Sequence, residues 1–238
     1  MLKTKRICLW SGPRNISTAL MYSFAQREDI TIFDEPLYAH YLDKTDASKY
    51  HPGADEVLAE HQTDGQKIID EIFLGDYDTP VVFFKSMAHH LVDLDWDFMK
   101  ETINVILTRA PEEVLPSIAR RIENPSMDDL GYAKQLEIVE HLKGIGKKPP
   151  VVDAKDILMY PQSRLRELCS TVGIPFDNGM LSWPAGPRKE DGVWAKYWYH
   201  RVHRSTGFKQ YKSTNESVPE HLEDLYLECK EMYDKLVG

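Results

Sequence analysis

Residues 5–26, KRICLWSGPRNISTALMYSFAQ, constrain the fold more than any other stretch of this chain. The apolar run Ile7, Cys8, Leu9, Trp10 has the length of a buried strand, and Ser11, Gly12 and Pro13 break it. Ala19, Leu20, Tyr22 and Phe24 then mark one face of a helix that Asn15 or Ser17 can cap. A strand that turns through glycine into a helix aims free backbone N–H groups at one spot. The helix dipole adds partial positive charge there, which favours a phosphate or sulfate. Arg14 adds a full charge to the turn, and Ser17 and Thr18 add hydroxyl donors.

The turn is not a Walker A loop. Counted from Gly12, the Gly-Lys-Ser/Thr positions hold Ser17, Thr18 and Ala19. The lysine for the β/γ-phosphates of ATP is missing, and so is the hydroxyl that holds magnesium.

Apolar runs at 29–33, 79–84, 103–107 and 150–153 predict further strands. Between them, helices are expected over 55–74 (broken by Gly65), 90–100, 112–121, 132–143, 162–172 and 220–236. Residues 37–54 are polar, aromatic and irregular and read as a loop over a site. Residues 178–216 are rich in Gly, Pro, Trp, Tyr, Arg and Lys, too aromatic for a disordered linker, and read as an ordered lid. Strands alternating with helices predict a three-layer α/β/α fold with a central parallel sheet, and a ligand at the strand C-termini. At 238 residues, one domain over 1–238 is expected.

The net charge of −9 argues against general nucleic-acid binding, while basic clusters at 120–121, 143–148 and 188–212 suit a small polyanion. The three cysteines are far apart and fit neither a metal spacing nor a disulfide framework. With no long apolar run, a soluble protein of the reducing cytoplasm is expected, without metal or membrane attachment.

Arg14, Glu35, the His89–His90 pair and Arg109 all fall at C-terminal ends of predicted strands, which converge on one crevice in this architecture. Together with five segments in order, they make the chain resemble the sulfotransferase family, P-loop NTPase-like enzymes that use 3′-phosphoadenosine 5′-phosphosulfate (PAPS) without a metal. SGPRNIST is similar to the family's 5′-phosphosulfate loop, with Gly12, Pro13, Arg14, Asn15, Ser17 and Thr18 as contacts and Ile16 where a glycine is usual. FFKSMAHH resembles the Lys-x-His segment that carries the catalytic base, stretched so that His89 or His90 takes the histidine's place. In some relatives a glutamate after the second strand serves instead, which keeps Glu35 as a candidate. ILTRAPEEVLPSI resembles the 3′-phosphate segment, with Arg109 and Ser117 at its two contact positions. VVDAKDILMYPQSRLRELCSTVGIPF matches a scaffold segment. PRKEDGVWAKYW resembles the basic segment that folds over the cofactor, with Arg188 and Lys189 as contacts and Gly192 and Trp194 completing the pattern.

The resemblance implies transfer of a sulfuryl group from PAPS to a hydroxyl or amine of a small-molecule acceptor. A phosphotransferase using ATP and a catalytically inactive nucleotide-binding relative are the alternatives. Neither the acceptor nor the oligomeric state follows from the sequence.

Overall fold

The computed structural model describes residues 4–213 and 216–238. Residues 1–3 and positions 214–215 of the expected lid lie outside the described residues. Five strands form one parallel sheet: β1 (Lys5–Ser11), β2 (Ile30–Asp34), β3 (Val81–Met87), β4 (Ile103–Thr108) and β5 (Val151–Asp153). Their spatial order is β2-β3-β1-β4-β5. The chain therefore crosses from one side of β1 to the other between β3 and β4. That switch opens a crevice at the C-terminal end of β1.

Alternation along β1 explains the two covered faces. Cys8 and Trp10 join one apolar cluster, and Ile7 and Leu9 join the other. The helices are α1 (Ser17–Phe24), α2 (Tyr38–Lys44), α3 (Ala54–Glu60), α4 (Gly65–Ile68), α5 (Pro111–Ile118), α6 (Met127–Leu130), α7 (Tyr132–Gly144), α8 (Ala154–Met159), α9 (Pro161–Thr171), α10 (Ala195–Trp198) and α11 (Glu223–Val237). Helices α5, α7 and α11 cover the Trp10 face, and α1, α8 and α9 cover the Leu9 face. The result is the expected three-layer arrangement. The buried Trp10 indole is not left unpaired: its Nε1 donates to Asn104 Oδ1 at 2.8 Å.

Several local expectations are corrected. Residues 37–54 are not a loop, because Tyr38–Lys44 is helical and buries Tyr38, Ala39, His40, Tyr41 and Leu42. This mixed aromatic face carries no simple apolar period. It packs with Trp194 and Tyr199 of the 178–213 segment in a third cluster. The 90–100 helix is absent; only short 3₁₀ turns at Ala88–His90 and Asp97–Glu101 form. In the 55–74 stretch the break falls before Gly65, which opens α4, and Asp64 caps it by accepting from Lys67 N–H at 3.1 Å. A Cβ at Gly65 would stand 2.7 Å from the His40 ring, so the close approach requires glycine.

The 178–213 segment is held by side chains more than by secondary structure. Trp183, Trp194 and Tyr199 are buried. The buried Asp191 carboxylate accepts from Tyr22 Oη at 2.7 Å, from Arg188 N–H at 2.8 Å and contacts His203 Nε2 at 2.9 Å.

Candidate active site

The loop between β1 and α1 is shaped for an anion. A Cβ on Gly12 would stand 2.6 Å from Leu130 O, so only glycine lets the two backbones approach. Arg14 (φ 62°) and Ile16 (φ 60°) are both left-handed, on either side of Asn15. Such alternation turns successive N–H groups toward one concavity. The first amides of α1 have no intrahelical acceptor and face the same way. Neither Asn15 nor Ser17 caps the helix, contrary to expectation. Ile16 holds the cap position with no side-chain hydrogen bond, and Asn15 Nδ2 donates to Leu107 O at 3.2 Å, pinning the loop to β4. Ile16 thus keeps the left-handed backbone that glycine adopts freely, at a cost of about 1–2 kcal/mol.

Cations gather around this loop. Arg14 Nε donates to Ser117 Oγ at 2.9 Å. Arg109 donates from one terminal nitrogen to Arg14 O at 2.9 Å and from Nε to Glu113 Oε2 at 2.7 Å. The sequence-read pair Arg109 and Ser117 is therefore brought onto the Arg14 loop. Burial, then repulsion from Arg201, Arg121, Arg120 and Arg109, lowers the Arg14 pKa to about 10. It stays charged at neutral pH, in a field that an anion would relieve. Arg201 was not foreseen; it follows an aromatic stretch without periodicity.

Pro13, Arg14, Asn15, Ser17, Thr18, Glu35, His89, His90, Arg109 and Ser117 all line one cavity of about 280 Å³. Tyr38, His51, Lys85, Asp129, Trp198 and Arg201 line it too. A neighbouring cavity of about 350 Å³ is bordered by Arg14, Ser117, Arg120, Arg121, Trp198, His200 and Arg201.

The three base candidates have different surroundings. His89 is 8% exposed, and burial, with repulsion from His51, lowers its pKa to about 3 against the opposing pull of Asp129. Its Nδ1 is buried without a partner. The His90 ring stacks with Tyr38 (centroids 5.0 Å) and with Tyr41 (4.7 Å), and the residue is buried. Glu35 is held by Lys85, which is fully buried and also donates to Asp34 Oδ1 at 3.1 Å and Tyr199 Oη at 2.7 Å. Burial pushes the Glu35 carboxyl up, opposed by Lys85. For Lys85, burial works against the charge, but Asp34 and Glu35 outweigh it and hold the ammonium protonated.

Arg188, Lys189, Gly192 and Trp194 do not line either cavity. The Arg188 guanidinium lies over the Tyr22 ring at 5.2 Å and donates to Pro184 O at 2.9 Å. The Lys189 side chain is 90% exposed. Gly192 N–H donates to Asp34 Oδ2 at 3.3 Å, and Trp194 Nε1 donates to Tyr199 Oη at 3.2 Å. Gly192 ties the 178–213 segment to Asp34 at the end of β2 and Arg188 ties it to Tyr22 of α1, while Arg201 of that segment lines the cavity beside the loop.

Among the described residues no group of His, Cys, Asp and Glu could hold a metal ion, and no helix is long and apolar enough to cross a membrane.

The family model for a sulfotransferase domain matches residues 5–235. Two curated proteins of Arabidopsis thaliana are similar. Branched-chain-amino-acid aminotransferase-like protein 2 is 39% identical over 228 residues, 95% of this chain and 40% of its own length. Branched-chain-amino-acid aminotransferase-like protein 1 is 38% identical over 237 residues, 99% of this chain and 42% of its own length. The chain thus spans well under half of the curated relatives it matches. Among solved structures, the sulfotransferase domain of the Synechococcus PCC 7002 olefin synthase superposes with a TM-score of 0.58 at 12% identity, covering 97% of this chain and 94% of that one. That similarity shares the fold, and the family match over nearly the whole length decides kinship: this chain belongs to the sulfotransferase domain family.

Proposed function

We propose that this chain moves a sulfuryl group from PAPS to a hydroxyl or amine of a small-molecule acceptor, as one domain over 1–238 with 178–216 as its lid. One observation carries the reading: the anion-shaped loop 13–18, the guanidiniums of Arg14, Arg109 and Arg201, and a buried neutral imidazole share one cavity. The fit to a polyanionic donor rests on the cations themselves: Arg14 and Arg201 line the cavity with no carboxylate partner among the described residues, and burial, then repulsion from neighbouring arginines, disfavours the Arg14 charge until an anion arrives.

When bound, PAPS supplies an activated sulfuryl group on a phosphate leaving group. Arg14 and the loop amides would hold that end and neutralise charge growing on the phosphate oxygen. Ser17 and Thr18 add hydroxyl donors at the same place. Arg109, Ser117 and Arg201 would grip the 3′-phosphate, where bidentate guanidinium geometry separates this donor from ATP. The resemblance expected Arg188 and Lys189 there; in this reading Arg201 supplies the lid's charge, and Arg188 and Gly192 hold the lid to α1 and β2.

His89 would accept the acceptor's proton. Burial keeps its ring neutral, so a lone pair is free, and the Asp129 carboxylate favours the imidazolium as it forms. Glu35 is less suited, because Lys85 already occupies it. The missing Walker lysine and hydroxyl speak against the kinase alternative.

The test is transfer of label from ³⁵S-PAPS to a panel of phenols, alkyl alcohols and amines. Labelled product and adenosine 3′,5′-bisphosphate should appear in equal amounts. Phosphorylation of the same panel with ATP and magnesium, and no sulfation, would contradict the proposal.

A further inference from the structure

Asp129, whose carboxylate favours a protonated His89 in the proposed chemistry, lines the cavity without a cationic partner among the described residues. It is buried, and each of its hydrogen-bond partners is neutral. Tyr50 Oη donates to Oδ1 at 2.9 Å; Ser126 N–H and Ser126 Oγ donate to Oδ2 at 2.8 and 2.7 Å. The Ser126 contacts form a capping box at the start of α6, which explains why a short acidic side chain stands here. They do not explain why its charge is left without a cation. A buried carboxylate without a cation is costly unless something supplies one. Its field reaches both His51 and His89, which line the same cavity.

The groups around it add no positive charge. Burial pushes the His51 pKa down despite Asp129, and His51 Nδ1 is 2.9 Å from the Tyr38 hydroxyl. The Trp198 ring lies 6.0 Å from His51. At the sheet end Lys85 faces two carboxylates, Asp34 and Glu35, so that cluster adds no net positive charge either. The arginines at the loop are the cavity's cations, and in the function proposed above the donor neutralises them. What remains for the acceptor is a set of aromatic faces with an excess of negative charge. Aromatic faces attract a desolvated cation, and a buried carboxylate adds to that attraction.

We infer that the acceptor is a protonated amine on an aromatic or apolar body, its ammonium directed to Asp129 and the Trp198 face and its nucleophilic oxygen to His89. This rests on the proposed donor. It narrows the acceptor to a cationic class, against neutral phenols and against carboxylic acids.

The test uses the full chain loaded with adenosine 3′,5′-bisphosphate and three phenols of one shape and different charge: tyramine, para-ethylphenol and para-hydroxyphenylpropionate. Affinities come from titration calorimetry. Tyramine should bind about tenfold or more tighter than para-ethylphenol, with the carboxylate weakest. In Asp129→Asn, which keeps an acceptor for Ser126, the tyramine advantage should fall to within about threefold. Equal or tighter binding of the carboxylate, no binding of any of the three, or an undiminished preference in Asp129→Asn overturns the inference. Bisphosphate affinity is measured first: its absence refutes the donor reading, whereas normal bisphosphate binding without cation preference refutes this inference alone. Unchanged bisphosphate affinity also reports that Asp129→Asn is folded, and if it is not, the wild-type comparison decides.

Discussion

Arg14 Nε donates to Ser117 Oγ across 2.9 Å, joining the loop after β1 to the last turn of α5. Arg109 closes the same connection from β4 by donating to Arg14 O. The loop end of the cavity is therefore one hydrogen-bonded unit drawn from three segments.

Arg14→Ala should lower transfer at least about a hundredfold, the scale for loss of one preorganised donor at the developing charge. The fold should survive, since the loop stays pinned through Asn15 to Leu107 O. Arg14→Lys keeps the charge but cannot retain the Nε contact, so it should recover only part of the rate. Steady-state rates with circular dichroism on each variant check this; near-normal turnover in Arg14→Ala removes it from the mechanism.

His89→Asn should reduce kcat by about 10²–10⁴ while leaving bisphosphate affinity within about threefold, because a proton acceptor contributes to the chemical step and not to donor binding. An equal loss in both would make His89 a donor-binding residue instead.

The same histidine predicts a pH dependence of stability. Its folded pKa of about 3 lies below the ordinary 6.5, so the unfolded chain binds more protons between those values. The His89 contribution is fully present above pH 6.5 and is lost as pH falls toward 3. His51 and His90 are shifted in the same direction by burial. Each such histidine steepens the acid limb by up to about 1.4 kcal/mol per pH unit. Urea unfolding at pH 7 and pH 5 should show that limb, shallower in His89→Asn; identical stability at the two pH values would contradict it.

Lys85→Met should destabilise the fold by about 3–5 kcal/mol, because it leaves Asp34 and Glu35 buried without their cation. Double replacement with Asp34→Asn should recover part of the loss, measurable by chemical denaturation. A Lys85→Met variant as stable as the parent would mean that water already reaches this cluster.

The strands were legible because each holds a short apolar run, buried on both faces in β1, β3 and β4 and half-buried in β2 and β5. Strand β3 extends past its apolar part to Lys85, buried against Asp34, Glu35 and Tyr199, and to Ser86, buried by packing, neither of which a local pattern reports. Helix α2 was hidden because its buried face is Tyr, Ala and His, covered only once Trp194 and Tyr199 fold over it. Residues read from their places at strand ends, Arg14, Glu35, His89 and Arg109, come together in the cavity, since the parallel sheet brings all such ends to one edge. Arg201 lies on a turn and Asp129 in the four-residue helix α6, neither of which carries an apolar period that places it. Arg188 and Lys189 were expected as ligands from the resemblance of their segment to the family's basic cofactor segment, yet one stacks on Tyr22 and the other faces solvent.

The central claim is donor identity, and thermal unfolding with adenosine 3′,5′-bisphosphate, set against ATP with magnesium, tests it most directly. At 100 times its dissociation constant, a ligand of the folded state stabilises by about 2.7 kcal/mol. The account predicts a clear rise in Tm with the bisphosphate and none with ATP–magnesium. A rise with ATP–magnesium alone, or with neither, would contradict it.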